Sequence, residues 1–267
     1  LISFGANVNL MLENGRSLLH NTIVNGSEGA ALSMLSFGAN PNTLDHFGKS
    51  PLYDAFRKGY DILAQNILGM NHYYIGFDIL SSNIVFEMID DSKVKALELL
   101  LKVVPSQLNL VSEGQSPLLK ALKTSELKIA KLLKDYGATF NSYDPAVIDV
   151  VHSSIKSNKA EVIKFLVKEF GLNLTGVAIN GKNVLVESLK NYKSKEFYNL
   201  VKVLLESGVK ADSIDLNTGK TSLQIAVEQN DIKLVEMLLS YGANPNVIDL
   251  NYKTPLVYAV NNDFNTI

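Results

Sequence analysis

One phrase recurs along the chain and sets what it can fold into: FGANVN from Phe4, FGANPN from Phe37, YGATFN from Tyr136 and YGANPN from Tyr241. Its glycines keep a fixed spacing, 38 − 5 = 33 residues at one end and 242 − 208 = 34 at the other. A period of this size means small stacked units, each covering its neighbour, in place of one closed core. The frame holds where the glycine is lost, because steps of 33 from Gly38 reach Asn71, Val104 and then Gly137. The glycines are expected to stop helices in the left-handed conformation, and asparagine is the commonest substitute there. Val104 suits that conformation poorly and is followed by Pro105, so its helix is expected to end in another way.

A second phrase keeps phase with the first: GRSLLH at Gly15, GKSPLY at Gly48, GQSPLL at Gly114, GKNVLV at Gly181, GKTSLQ at Gly219 and YKTPLV at Tyr252. Two copies have lapsed, one at Ser81 and one at Val147, where Asp149 stands at the capping position. The longest spacing carries its extra residues in NYKSKEFYN, between the helices of one repeat. In the repeat at Gly48, Ser50 is placed to cap a helix and Pro51 suits the first helical position. Leu52, Ala55 and Phe56 then share one helical face. Gly59 marks a turn, Ile62, Leu63, Ile67 and Leu68 give a second apolar face, and Asn71 ends it. Such a pair cannot bury its own face, and each Leu or Ile covered by a neighbour contributes roughly 1.5–3 kcal/mol. A small side chain recurs in the first helix at Ala55, Ala121, Ala226 and Ala259, with Thr22, Ser154 and Ser188 elsewhere. Met88 at that position predicts looser or shifted packing in the third pair.

Composition narrows the function. A hydrophobic content of 46% over 267 residues supplies a continuous core. The net charge of −2 argues against general nucleic-acid binding, which needs a basic field. With no cysteine, disulfides and thiolate metal sites are excluded, as fits a reducing compartment. No apolar run approaches the roughly 20 residues that span a bilayer, so no direct membrane insertion is expected. The histidines, His20, His46, His72 and His152, form no metal-binding spacing, and no phosphate-binding or nucleophile-elbow motif is present. No cofactor, metal or catalytic residue is expected.

GKSPLYDAF, GKTSLQIAV and YKTPLVYAV resemble the G-x-T-P-L-H-x-A-A signature of the ankyrin repeat family, and LLSYGANPN and SMLSFGANPN resemble its second-helix ending. The resemblance covers essentially the whole chain. It implies an all-α, helix-turn-helix solenoid with projecting β-hairpin or loop fingers, in a single array over 1–267. About seven repeats fall at 14–46, 47–79, 80–112, 113–145, 146–179, 180–216 and 217–249. Residues 1–13 read as the tail of one repeat and 250–267 as the start of another, an array truncated at both ends. Several repeats are degenerate, and 80–112 and 146–179 lack the signals for a finger. His20 and His152 occupy the His of the T-P-L-H motif, where the family uses the ring to tie adjacent loops.

The resemblance further implies a cytoplasmic protein–protein interaction scaffold without catalysis, whose partner protein meets the finger tips and the exposed side of the first helices. On this chain those positions are His46, Phe47 and Lys49 on a finger, and Arg57, Lys58, Asp90, Asp91, Lys120 and Lys123 on successive first helices. Phe47 either packs on the neighbouring finger or stands out as an anchor. The alternating basic, acidic and basic helices form either a ladder of ion pairs or a mixed-charge patch for a partner. The alternative settings are the recognition arm of a larger enzyme or effector, such as a host-directed bacterial effector acting in the host cytosol or a ubiquitin-ligase adaptor, and the cytoplasmic array of a membrane channel. The frame makes one prediction about stability. Leu52→Ala is expected to cost about 2–5 kcal/mol in chemical denaturation. A loss below about 1 kcal/mol would place Leu52 outside the core.

Overall fold

The computed structural model describes residues 4–70, 75–80, 82–142, 144–179, 182–191, 194 and 196–264. Asn71, His72 and the helix end expected at Leu1–Ser3 lie outside them. The chain forms two compact units, Leu1–Ala138 and Thr139–Ile267. The first holds four antiparallel helix pairs: α1 (Leu18–Val24) with α2 (Glu28–Ser36), α3 (Pro51–Lys58) with α4 (Asp61–Leu68), α6 (Ile84–Asp90) with α7 (Val94–Val103), and α8 (Pro117–Thr124) with α9 (Leu127–Asp135). A single helical turn, α5 (Phe77–Leu80), precedes the third pair. The second unit holds α10 (Pro145–Lys156) with α11 (Ala160–Phe170), α12 (Val184–Ser188) with α13 (Phe197–Glu206), α14 (Ser222–Glu228) with α15 (Ile232–Ser240), and then α16 (Pro255–Asn261). Its two short strands, β1 (Ala178–Ile179) and β2 (Lys182–Asn183), pair antiparallel, with Ile179 opposite Lys182.

The first helices begin as their residues dictate. The hydroxyls of Ser17, Ser50, Ser116, Thr221 and Thr254 accept the amides of His20, Tyr53, Leu119, Gln224 and Val257. Proline fills the first helical position at Pro51, Pro117 and Pro255, where no amide is needed. The apolar stripe then faces inward: Leu52, Ala55 and Phe56 of α3 and Leu63 and Ile67 of α4 are fully buried. Ala121, Ala226 and Ser188 are likewise buried at the small-residue position. Met88 is fully buried too, which counts against the looser of the two packings expected there. Its unbranched side chain fills the space as a flexible core residue does.

The recurrent glycines take left-handed backbone as expected, with φ of +95° at Gly5, +86° at Gly38, +98° at Gly137, +87° at Gly208 and +85° at Gly242. A second left-handed position lies in the turn between the two helices of a pair, at Gly26, Gly59, Ser92, Ser125, Asn158 and Asn230, and Asp263 takes it after α16. At Val104 the backbone keeps a negative φ, with φ −133° and ψ 73°, and enters a 3-10 turn over Pro105–Asn109. That turn carries Gln107, whose buried amide donates to the carbonyls of Ile79 at 2.8 Å and Ser82 at 3.2 Å. A side chain thus ties the third pair to the α5 segment, where other joints use a finger.

Among the described residues, no finger forms at the two joints whose signals are missing. At the first, α5 stands in place of a strand. At the second, α10 starts at Pro145 with Asp144 as its cap, accepting the Ala146 amide at 2.8 Å. The expected cap, Asp149, lies exposed inside that helix. An Asp-Pro pair is a stronger start signal than the lone Asp149 further along. His152 therefore sits well inside α10, half-buried, and among the described residues it makes no ring bond of the T-P-L-H kind. Narrow β-bridges close other fingers, Met11 with Ser17, Ser112 with Gln115 and Ile214 with Thr221.

Four of those finger tips place glycine at φ +68° to +74°: Gly15, Gly48, Gly114 and Gly219. The fifth places Tyr252 there, at φ +58°, with its ring 86% exposed. A left-handed L-residue costs about 1–2 kcal/mol. Glycine's extra freedom in the unfolded chain offsets about 0.5–1 kcal/mol of that. Tyr252→Gly is therefore expected to stabilise the protein by about 0.5–1 kcal/mol in denaturant titrations. A loss of stability would show that the Tyr252 ring makes contacts worth more than its strain.

Candidate partner-binding surface

The finger at residues 43–50 is held by one buried carboxylate. Asp45 Oδ1 accepts the amides of Phe47 and Lys49, each at 2.9 Å, and Oδ2 faces Arg16 Nε at 3.4 Å. Burial acts to raise the Asp45 pKa, but those two amides and the Arg16 guanidinium outweigh it, so the group is held below the ordinary carboxylate value. The second unit repeats the device. Asp249 Oδ1 accepts the amides of Asn251 at 2.8 Å and Lys253 at 2.9 Å, and its Oδ2 accepts the Tyr258 hydroxyl at 2.5 Å. Asp215 accepts the Asn217 amide at 3.0 Å and Lys182 Nζ at 2.7 Å. The sequence does carry this signal, in Asp45, Asp215 and Asp249, at the start of three fingers. Charge-based reading passes over them because they look like ordinary loop aspartates.

The carboxylate turn sets what the tip presents. Phe47 projects from it, 79% exposed. His46 turns the other way, its ring lying where a Cβ on Gly15 would come within 2.4 Å. Leu250 lies over Gly219 in the same manner, at 2.3 Å from such a Cβ. The residue after the fingertip aspartate thus rests on the glycine of the preceding finger. Lys49 folds its ammonium over the Tyr53 ring, 4.0 Å from the centroid.

On the adjoining helices the expected charges meet each other. Arg57 Nε lies 3.3 Å from Glu87 Oε2, and Lys120 Nζ lies 2.9 Å from Asp90 Oδ1. Asp91 pairs with Lys93, whose ammonium also reaches the Arg57 carbonyl. The Tyr53 hydroxyl donates to Glu87 at 3.1 Å, and burial together with that carboxylate pushes its pKa up to about 12. The alternation of sign is therefore a ladder of cross-repeat pairs. Each such exposed pair is worth about 0–1 kcal/mol. Lys58 and Lys123 are exposed at the ends of α3 and α8.

Beneath the finger lies a buried polar junction. His20 Nδ1 lies 2.8 Å from Ser17 Oγ and 3.3 Å from the Ser17 amide, and Nε2 lies 3.0 Å from the Lys49 carbonyl. The carbonyl can only accept, so Nε2 carries the proton and Nδ1 accepts from Ser17. The ring thus joins the cap of α1 to the next finger. Burial lowers its pKa, against the opposing pull of the Lys49 carbonyl, Asp54 and Asp45. Gln224 builds the same tie in the second unit: Oε1 accepts the Thr221 amide at 2.7 Å and Nε2 donates to the Lys253 carbonyl at 2.6 Å. Asp54, 4% exposed on α3, has an Oδ2 with no hydrogen-bond partner among the described residues. Burial raises its pKa, while His20 and Arg16 act the other way.

The comparisons with known proteins fall on this frame. The family model described as ankyrin repeats, three copies, matches residues 190–267. A putative ankyrin repeat protein of Acanthamoeba polyphaga mimivirus is 29% identical over 150 residues, 55% of this chain and 19% of that protein. The phosphocholine transferase AnkX of Legionella pneumophila is 27% identical over 201 residues, 70% of this chain and 20% of that protein. Among solved structures, the ankyrin repeat domain of Bcl-3, a member of the IkappaB family, superposes with a TM-score of 0.50 at 19% identity, covering 92% of this chain and 95% of that one. Residues 190–267 are ankyrin repeats, and the helix pairs before them share that architecture.

Its matches span about a fifth of the length of the first of these curated relatives. Ankyrin repeats are generally protein–protein interaction modules, and their stacked helices and loops build extended binding surfaces. Of the positions expected to serve that role, the fold gathers His46, Phe47 and Lys49 on one finger and joins Arg57, Asp90 and Lys120 through the ladder. Among the described residues no helix is long and apolar enough to cross a membrane.

The buried Asp54 gives a test of the ankyrin groove itself. A carboxyl whose folded pKa is raised contributes stability at low pH that is lost as pH rises through that folded value. Asp54→Asn removes this penalty, so its thermal midpoint is expected to exceed that of the parent at neutral pH, with the gap closing in acid. A lower midpoint at neutral pH would show that Arg16 and His20 depend on the Asp54 charge.

Proposed function

We propose that this chain is a protein-binding scaffold that engages a partner protein through the Thr43–Ser50 finger and the exposed side of α3, α6 and α8, with no catalysis of its own. The observation that carries the reading is Phe47. A large aromatic side chain stands 79% exposed on a tip whose backbone is fixed by a buried aspartate. Rigid exposed aromatics are favoured anchors, because they bury much area on binding and lose little conformational freedom. Arg57, Lys58, Asp90, Asp91, Lys120 and Lys123 then form a rim beside the anchor, with His46 and Lys49 shaping its base. Paired rim charges serve orientation more than affinity.

We also propose, as a second setting, that the array is the recognition arm of a larger effector. The support is the 201-residue similarity to AnkX, which covers 70% of this chain but 20% of that enzyme. In that setting the catalytic step belongs to other parts of the polypeptide and the array selects its target.

The experiment places a photo-reactive amino acid at position 47 and, separately, at Ile62, which is exposed on the second helix of the same repeat. Position 47 is expected to cross-link a partner that position 62 does not. Replacing Phe47, Arg57 and Lys58 together by alanine is expected to weaken capture at least about tenfold, a loss of about 1.4 kcal/mol. The thermal midpoint is expected to stay nearly unchanged, since all three side chains are exposed. An equal loss of folding, or capture that survives the triple change, would overturn the assignment.

A further inference from the structure

We propose that His20 is a proton-operated latch on the finger that presents Phe47: neutral, it ties that finger to the first helix, and protonated, it releases it. The geometry requires a neutral ring. Nε2 donates to the Lys49 carbonyl, and Nδ1 must accept the Ser17 amide. A proton on Nδ1 would set two donors against each other across 3.3 Å. The Ser17 hydroxyl cannot absorb the change freely, because it already accepts the His20 amide and the Thr43 hydroxyl. Protonation therefore leaves the Ser17 amide without an acceptor and places a charge on a side chain with no solvent exposure. An unpaired buried donor and a buried charge are both costly, and the ring relieves both by leaving its seat.

The charged groups around the ring decide where it goes. Arg16, from the preceding finger, repels an imidazolium. Asp45, on the latched finger, is committed to Phe47, Lys49 and Arg16. His46 on that finger lies against Gly15, and the Lys49 ammonium lies over Tyr53. Asp54 on α3 has an oxygen without a partner, so it is the carboxylate available to a displaced imidazolium. Release leaves the Lys49 carbonyl with the Asp45 amide as its one remaining donor, at 2.9 Å, and so loosens the finger where it meets α1. The second unit supplies an internal control, because Gln224 makes the equivalent bonds and does not titrate. This extends the reading of Phe47 as a partner contact to its regulation, and it rests on that reading only there.

The test uses the whole chain with no partner present, so it stands apart from the binding assignment. Amide hydrogen exchange is followed from about pH 7.5 to about pH 5.5 and corrected for intrinsic exchange chemistry. Protection at Ser17, Phe47 and Lys49 is expected to fall by up to about tenfold per pH unit below the ordinary imidazole value of about 6.5. Protection at Thr221, Asn251 and Lys253 is expected to hold. His20→Gln, which copies Gln224, is expected to abolish the fall while keeping the finger protected, and His46→Gln is expected to leave it in place. Ring-nitrogen shifts of His20 are expected to titrate in step with the release. An equal fall at both fingers, a fall that persists in His20→Gln, or a His20 ring that stays neutral while the finger opens would each overturn the latch. Loss of cross-linking at position 47 with these exchange results intact would reject the partner assignment and leave the latch standing.

Discussion

No helix pair in this chain can bury its own apolar face, and the rest of the structure follows from that dependence. A pair such as α3 and α4 has apolar residues on both helices and only a short turn between them. The small residue at Ala55 and its counterparts lets neighbouring first helices close on one another, and the full burial of Ala55, Ala121, Ala226 and Ser188 fits that closure. Once pairs must stack, the loops joining them are forced into register. Their backbone polar groups then need partners at every step. Those partners are the repeated buried side chains: Ser or Thr at the cap, Asp in the finger, and His or Gln between them.

Much of the fold was legible because periodicity is a statement about neighbours. The glycine frame located the helix ends, the Gly-x-Ser/Thr-Pro phrase located the caps, and the two lapsed copies located the joints without a hairpin. The misreadings share a cause. Met88 was judged by size alone, whereas a flexible side chain fits a space that a rigid one of equal volume would not. Asp149 was placed by counting, whereas the local Asp144-Pro145 pair overrode the count. The second left-handed position went unseen because Ser92, Ser125, Asn158, Asn230 and Asp263 satisfy a backbone demand that was read only through glycine. Gln107 had no signal at all, since nothing in a repeat frame distinguishes a buried glutamine from a surface one.

The candidate surface was legible in outline and opaque in mechanism. Spacing put Phe47 at a tip and charges on successive helices, and both are where they were expected. Spacing allowed either a ladder or a free patch, and Arg57 with Glu87 and Asp90 with Lys120 form the ladder. The consequence for recognition is physical. A partner meeting this rim finds little net field and must compete with existing pairs to use any single charge. Exposed apolar area at the tip is then the larger source of affinity, and the charges set orientation.

The tie between helix cap and next finger shows how one geometric demand admits chemically different answers. It needs an acceptor for the cap amide and a donor for the neighbouring carbonyl, about one side chain apart. Glutamine provides both from a single amide, as at Gln224, and neutral histidine provides both from a single ring, as at His20. In the folded state the two are nearly interchangeable, so stability at neutral pH gives little reason to prefer either. They differ in that only the ring accepts a proton, and when it does it loses the acceptor half of the tie. Placing histidine in the junction under the Phe47 finger and glutamine under the Tyr252 finger therefore gives two fingers of like architecture different responses to acid.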